Sequence, residues 1–80
     1  MHELGVLYRA LEQINKIAVS KHIKRIKHIT LEIGDLSGYV PVFLEKLYPI
    51  AREKFPIMKR AELKLVIIPG RSFLISNIGY

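Results

Sequence analysis

Residues 25–41 read RIKHITLEIGDLSGYVP, and the fold turns on how they are parsed. Ile29, Leu31 and Ile33 alternate with His28, Thr30 and Glu32, the period of two expected of a strand with one face buried. His28 is then expected to face solvent beside two polar neighbours. The next stretch, GDLSGYVP, holds two glycines, an aspartate, a serine and a proline, which makes it a loop. Pro41 stands near the start of a following helix, because the first helical position tolerates a residue without an N–H. The segment is therefore strand, loop and helix start. Asp35 and Ser37 are read as shaping the turn rather than as outer partners of a site near the N-terminus.

Working outward, Leu4, Leu7, Tyr8, Leu11, Ile14 and Ala18 recur at three- and four-residue steps with Arg9, Glu12, Gln13 and Lys16 elsewhere. This predicts an amphipathic helix of about four turns before the strand. After the loop, Phe43, Leu44, Leu47, Ile50 and Ala51 mark a second helix, with a kink or break expected at Pro49, which lacks a backbone donor. FPIMKR closes that segment. Residues 61–80, AELKLVIIPGRSFLISNIGY, read as two strands joined at Pro69-Gly70, since proline suits the first central turn position and glycine the second.

A tight turn there sets Leu65 opposite Leu74, Leu63 opposite Ser76 and Ala61 opposite Ile78 on one face, and Val66 opposite Phe73 and Lys64 opposite Ile75 on the other. Val66, Ile68, Phe73 and Ile75 would then form an outward apolar patch, which predicts cover by a second copy, a homo-oligomer. The order helix, strand, helix, strand, strand gives an α+β fold: a small three-stranded mixed sheet covered on one face by two helices. The first two strands are expected to be parallel through a crossover, and the last two antiparallel.

The chain has 80 residues, half of them apolar and a quarter charged, with no cysteine. That is one domain, residues 1–80, able to bury about 60% of its unfolded surface and without disulfides or thiolate metal clips. No apolar stretch approaches the roughly 20 residues of a membrane span, and no basic region precedes an apolar run at the start, so the expected location is cytoplasmic. Lys plus Arg number 13 against 7 for Asp plus Glu, and Lys16, Lys21, His22, Lys24, Arg25, Lys27 and His28 cluster. Aromatics are not interleaved with that cluster and no nucleic-acid-binding motif is present, so a solvated helix end explains it as well and nucleic acid is not the expected partner. No nucleophile set of the Ser/His/Asp or Cys/His kind can be assembled, and the chain is not read as an enzyme.

The chemistry-bearing residues stand at the very beginning, MHELG. The amine of Met1 and the amide and imidazole nitrogens of His2 offer a divalent metal three donors in small chelate rings, with Glu3 adding its amide or its carboxylate. Nitrogen donors in a plane suit nickel(II) or copper(II), and oxygen or water donors would allow an octahedral nickel ion. The competing reading gives Glu3 only a favourable place at a helix N-terminus. His22 and His28 are not spaced as paired ligands.

The MHE start, the stretch KHITLEIGDLSGYVP, the strand AELKLVIIPG and the closing GRSFLISNIGY together resemble the hydrogenase nickel-incorporation proteins of the HypA family over nearly the whole chain. The resemblance implies a metallochaperone that holds nickel(II), Ni2+, at Met1, His2 and Glu3 and passes it to a partner GTPase or to the hydrogenase large subunit. It also implies a departure. Family members insert a zinc-binding domain with two C-x-x-C pairs between the last two strands, where this sequence has only the turn at Pro69-Gly70, so no zinc is expected. An alternative function is an interaction module that docks on hydrogenase-maturation partners without carrying metal.

Overall fold

The computed structural model describes residues 2–80. Its elements are α1 (Glu3–Ser20), β1 (His28–Gly34), α2 (Pro41–Arg52), a short 3-10 helix (Pro56–Met58), β2 (Glu62–Ile68) and β3 (Phe73–Gly79). The sheet order is β2-β1-β3. β1 pairs in parallel with β2, from His28 opposite Glu62 to Gly34 opposite Ile68, and antiparallel with β3. The α+β class and the mixed sheet under two helices are those expected from the periodicities.

The hairpin is not. β3 does not pair with β2 but crosses to the other edge of β1, so Leu65 lies opposite Leu31 rather than Leu74, and Phe73 lies opposite Ile33 rather than Val66. The cause is the burial demand of β1. Ile29, Leu31 and Ile33 are all fully buried, and a strand this apolar is best enclosed by a neighbour on each edge. The bend residues are used much as their chemistry suggests, with Gly70 at φ 103°, but the bend arches over the end of β1 instead of folding a hairpin back.

Four hydrogen bonds hold that arch. The N–H of Gly34 donates to Ser72 O (2.6 Å), that of Asp35 to Ile68 O (2.8 Å) and that of Leu36 to Gly70 O (2.7 Å), while Gly70 N–H donates to the Asp35 carboxylate (2.9 Å). Gly34 has no room for a side chain: an added Cβ would meet the backbone of the bend, with Gly70 C at 2.7 Å and Ser72 N at 2.8 Å. Asp35 therefore shapes the turn, as expected of it.

The crossing also turns Phe73 and Ile75 to the face opposite the predicted one, while the bulge at Ser76 leaves Ile78 on its predicted inward face. Phe73, Ile75 and Ile78 pack against the core together with Leu63 and Leu65, so the outward patch of Val66, Ile68, Phe73 and Ile75 does not exist, and the homo-oligomer predicted from it loses its basis. A one-residue change of register moves a side chain to the other face. Ser76 is the extra residue of a bulge opposite Thr30 and Leu31.

The core joins Leu7, Leu11, Ile14 and Ala18 of α1 to Ile29, Leu31 and Ile33 of β1 and to Leu44, Tyr48 and Ala51 of α2, closed at one end by Ile26, Met58 and Ala61. α2 runs through Pro49 without breaking, since Tyr48 and Ala51 on either side of it are both buried. The hydroxyl of Tyr48 donates to Ala61 O (2.8 Å) and Arg52 donates to the same oxygen (2.9 Å). Burial pushes the Tyr48 phenol above its ordinary value, and the adjacent Arg52 guanidinium partly opposes that shift.

Candidate metal site at the amino terminus

α1 starts at Glu3, with His2 as its N-cap. The His2 carbonyl accepts from Val6 N–H at 3.0 Å, but its imidazole makes no capping bond and is exposed. The first N–H groups of any helix have no acceptor within the helix. The main-chain nitrogens of this first turn are therefore not committed to the helical ladder, and the imidazole beside them is not committed to a cap. Met1 lies outside the described residues.

Glu3 behaves differently from its neighbour. It is only 3% exposed, and its Oε2 accepts from Val40 N–H at 3.0 Å. Val40 is the N-cap of α2, and its carbonyl accepts from Phe43 N–H (3.0 Å) and Leu44 N–H (3.1 Å). A single carboxylate thus ties the beginnings of both helices together. Both helix dipoles present their positive ends there, which makes a buried acid tolerable at this point. The sequence offered only the dipole as a signal; the acceptor role toward a residue 37 positions away had none.

The loop from Gly34 to Val40 connects this point to the bend between β2 and β3. Ser37 N–H donates to Gly34 O (3.0 Å), Tyr39 N–H donates to Ser37 Oγ (3.3 Å), and Gly38 takes φ 87°. The Tyr39 ring meets Phe73 edge-on, with centroids 5.4 Å apart and planes at 72°. His2, Glu3, the loop and the bend therefore stand at one end of the sheet.

The other histidines do not join them. His22, at φ 57°, follows the far end of α1, roughly 30 Å from His2 at 1.5 Å per helical residue. His28 starts β1 and lies over Gly79. Among the described residues no group of three or more His, Cys, Asp or Glu side chains is placed to hold a metal ion. No helix among them is long and apolar enough to cross a membrane.

Residues 1–73 match the family model described as HypA, hydrogenase/urease nickel incorporation, metallochaperone. The chain is 35% identical over 71 residues to the hydrogenase maturation factor HypA of Geobacter metallireducens, covering 89% of this chain and 61% of that protein. It is 33% identical over 70 residues to that of Trichodesmium erythraeum, covering 88% and 58%. It thus spans about three-fifths of the length of these relatives. The solution structure of the Ni metallochaperone HypA from Helicobacter pylori superposes with a TM-score of 0.78 over 96% of this chain and 72% of that one, at 19% identity, which is a likeness of fold. With nearly its whole length matched by the family model, the chain belongs to the HypA family.

Proposed function

We propose that this chain carries nickel(II) as cargo at Met1, His2 and Glu3 for the maturation of [NiFe]-hydrogenase, and yields it to a partner GTPase or to the hydrogenase large subunit. The supporting observation is the state of His2: an exposed N-cap residue whose imidazole is free of any cap bond, directly beside main-chain nitrogens that the helix leaves unused. Glu3 enters this reading through its main-chain nitrogen, because its carboxylate already receives the Val40 N–H. With the Met1 amine and the amide and imidazole nitrogens of His2, that nitrogen completes four donors, the number a planar nickel(II) site takes.

The positive end of the α1 dipole disfavours a bare cation. Deprotonation of the main-chain amides supplies the compensating negative charge, and the amine and imidazole bind only in their unprotonated forms, so nickel uptake releases protons and weakens as pH falls. Such a site is reversible and sits at the surface, as handing on a cargo requires. The absence of cysteine gives zinc no thiolate site in this chain.

The test is calorimetric titration of untagged protein with nickel(II). About one nickel per chain is expected, lost in His2→Ala and equally lost when one residue is added ahead of Met1, while the circular dichroism of both variants stays that of the parent. Unchanged affinity in either variant overturns the assignment.

A further inference from the structure

On α1 the stripe Leu7, Leu11, Ile14 and Ala18 is 0–1% exposed, and it is the stripe that packs on the sheet. Beside it runs a second one, Val6, Ala10, Gln13 and Ile17, at the same helical steps. This second stripe is covered at Val6 (7% exposed) and Ala10 (5%) and stands clear only at Gln13 and Ile17. It roofs an open groove of about 860 Å³ whose other wall is β3, and Ile17 is left 42% exposed. Toward its C-terminal end α1 thus leaves one apolar side chain, Ile17, overhanging β3.

The strand beneath the overhang is an edge. With the order β2-β1-β3, the outer main-chain groups of β3 have no strand partner among the described residues. The opposite edge, β2, carries Glu62 and Lys64 and runs into Pro69, features that discourage further pairing. β3, FLISNIG, has no charge and no proline. Only the bulge at Ser76 interrupts it, and a bulge shortens the segment that can pair rather than preventing pairing.

We propose that the free edge of β3 is a docking strip for a short, extended, acidic segment of a partner protein, which pairs with it as a fourth strand and lays alternate side chains into the groove beneath α1. This does not depend on nickel binding. The sign of the partner follows from the lip of the groove, where Arg9 and Lys16 flank Glu12. The two cations are seven residues apart, about 10 Å along the helix. Carboxylates at positions i and i+4 of an added strand, about 13 Å apart on one face, reach both and leave position i+2 to fill the groove with an apolar side chain.

The same charges argue against a second copy of this chain. A two-fold axis between antiparallel α1 helices at Glu12 and Gln13 would set Arg9 of each copy against Lys16 of the other, in molecules that each carry a net charge of +6. An acidic segment meets no such repulsion, and strand addition needs no preformed pocket beyond the edge itself.

The probe is the capped heptapeptide acetyl-Thr-Glu-Thr-Val-Thr-Glu-Thr-amide, titrated at low salt into isotopically labelled full-length protein and followed by amide chemical shifts. The expected result is saturable shifts confined to residues 73–79 and the adjoining face of α1. Replacing both glutamates of the peptide by lysine should weaken binding by about tenfold, as two exposed ion pairs turned from attraction to repulsion would. The double variant Arg9→Glu, Lys16→Glu, altered only at exposed positions, should invert that preference. N-methylation of alternate peptide residues should abolish binding. The proposal is overturned by shifts centred elsewhere, by binding indifferent to charge reversal or to N-methylation, by no binding at millimolar peptide, or by sedimentation showing a dimer that protects the β3 amides.

Discussion

Gly34→Ala tests the arch that places β3. A methyl group at Gly34 would meet three atoms of the opposing bend, the carbonyl oxygen and carbon of Gly70 and the nitrogen of Ser72, the last two at 2.7 and 2.8 Å. All three belong to the backbone, so no side chain can rotate away and the bend itself must lift. Overpacking of this kind costs about 1–3 kcal/mol. Lifting the bend also stretches the bonds from Gly34 to Ser72, Leu36 to Gly70 and Gly70 to Asp35, each contributing roughly 1 kcal/mol. Since these losses overlap, the expected total is about 3–4 kcal/mol. For a domain of this size that lowers Tm by on the order of 20 °C, a large share of a stability of about 5–15 kcal/mol. Gly79→Ala is the control: the three atoms nearest the added methyl there all belong to the imidazole of His28, an exposed side chain that can swing aside, and the expected cost is below about 1 kcal/mol. Urea unfolding followed by circular dichroism measures both. Equal losses in the two variants, or a Gly34→Ala loss under about 1 kcal/mol, would show that the bend does not lie against the end of β1 as described.

Glu3→Ala leaves the Val40 N–H without its acceptor and should destabilise by about 1–3 kcal/mol, whereas Glu3→Gln keeps a carbonyl oxygen in reach and should lose less than half of that; nickel affinity in Glu3→Gln should stay within a few-fold of the parent by titration. Tyr48→Phe removes the bond to Ala61, but Arg52 still donates to that oxygen, so a cost of about 1 kcal/mol is expected in chemical denaturation. The Tyr48 phenol is raised in the folded state above its ordinary value of 10.0. Its contribution is therefore complete below that pH and is lost as pH rises from there through the folded-state value, and the alkaline loss of stability should be shallower in Tyr48→Phe. Addition of a chelator should leave the helical circular dichroism unchanged, because the core from Leu7 to Met58 is apolar; unfolding by chelator would reveal a structural metal.

The local grammar of this chain was legible in its sequence. The three- and four-residue spacing of α1, the alternation of Ile29, Leu31 and Ile33, and the loop chemistry of residues 34–41 each depend on neighbours a few positions away, and so does the MHE start that carries the resemblance to the HypA family. The donor set of the proposed nickel site was readable for the same reason, because its atoms are consecutive along the backbone. What the tertiary structure decided is every pairing between distant segments. Pro69 and Gly70 announce a bend but not what it spans, and whether β3 returns beside β2 or crosses β1 depends on which arrangement encloses the most apolar strand. That choice turned Phe73 and Ile75 inward and left β3 as an uncharged edge under α1. The buried acid of Glu3 belongs to the same class: nothing near it in the chain accounts for its burial, and only folding brings the N-cap of α2 to its carboxylate.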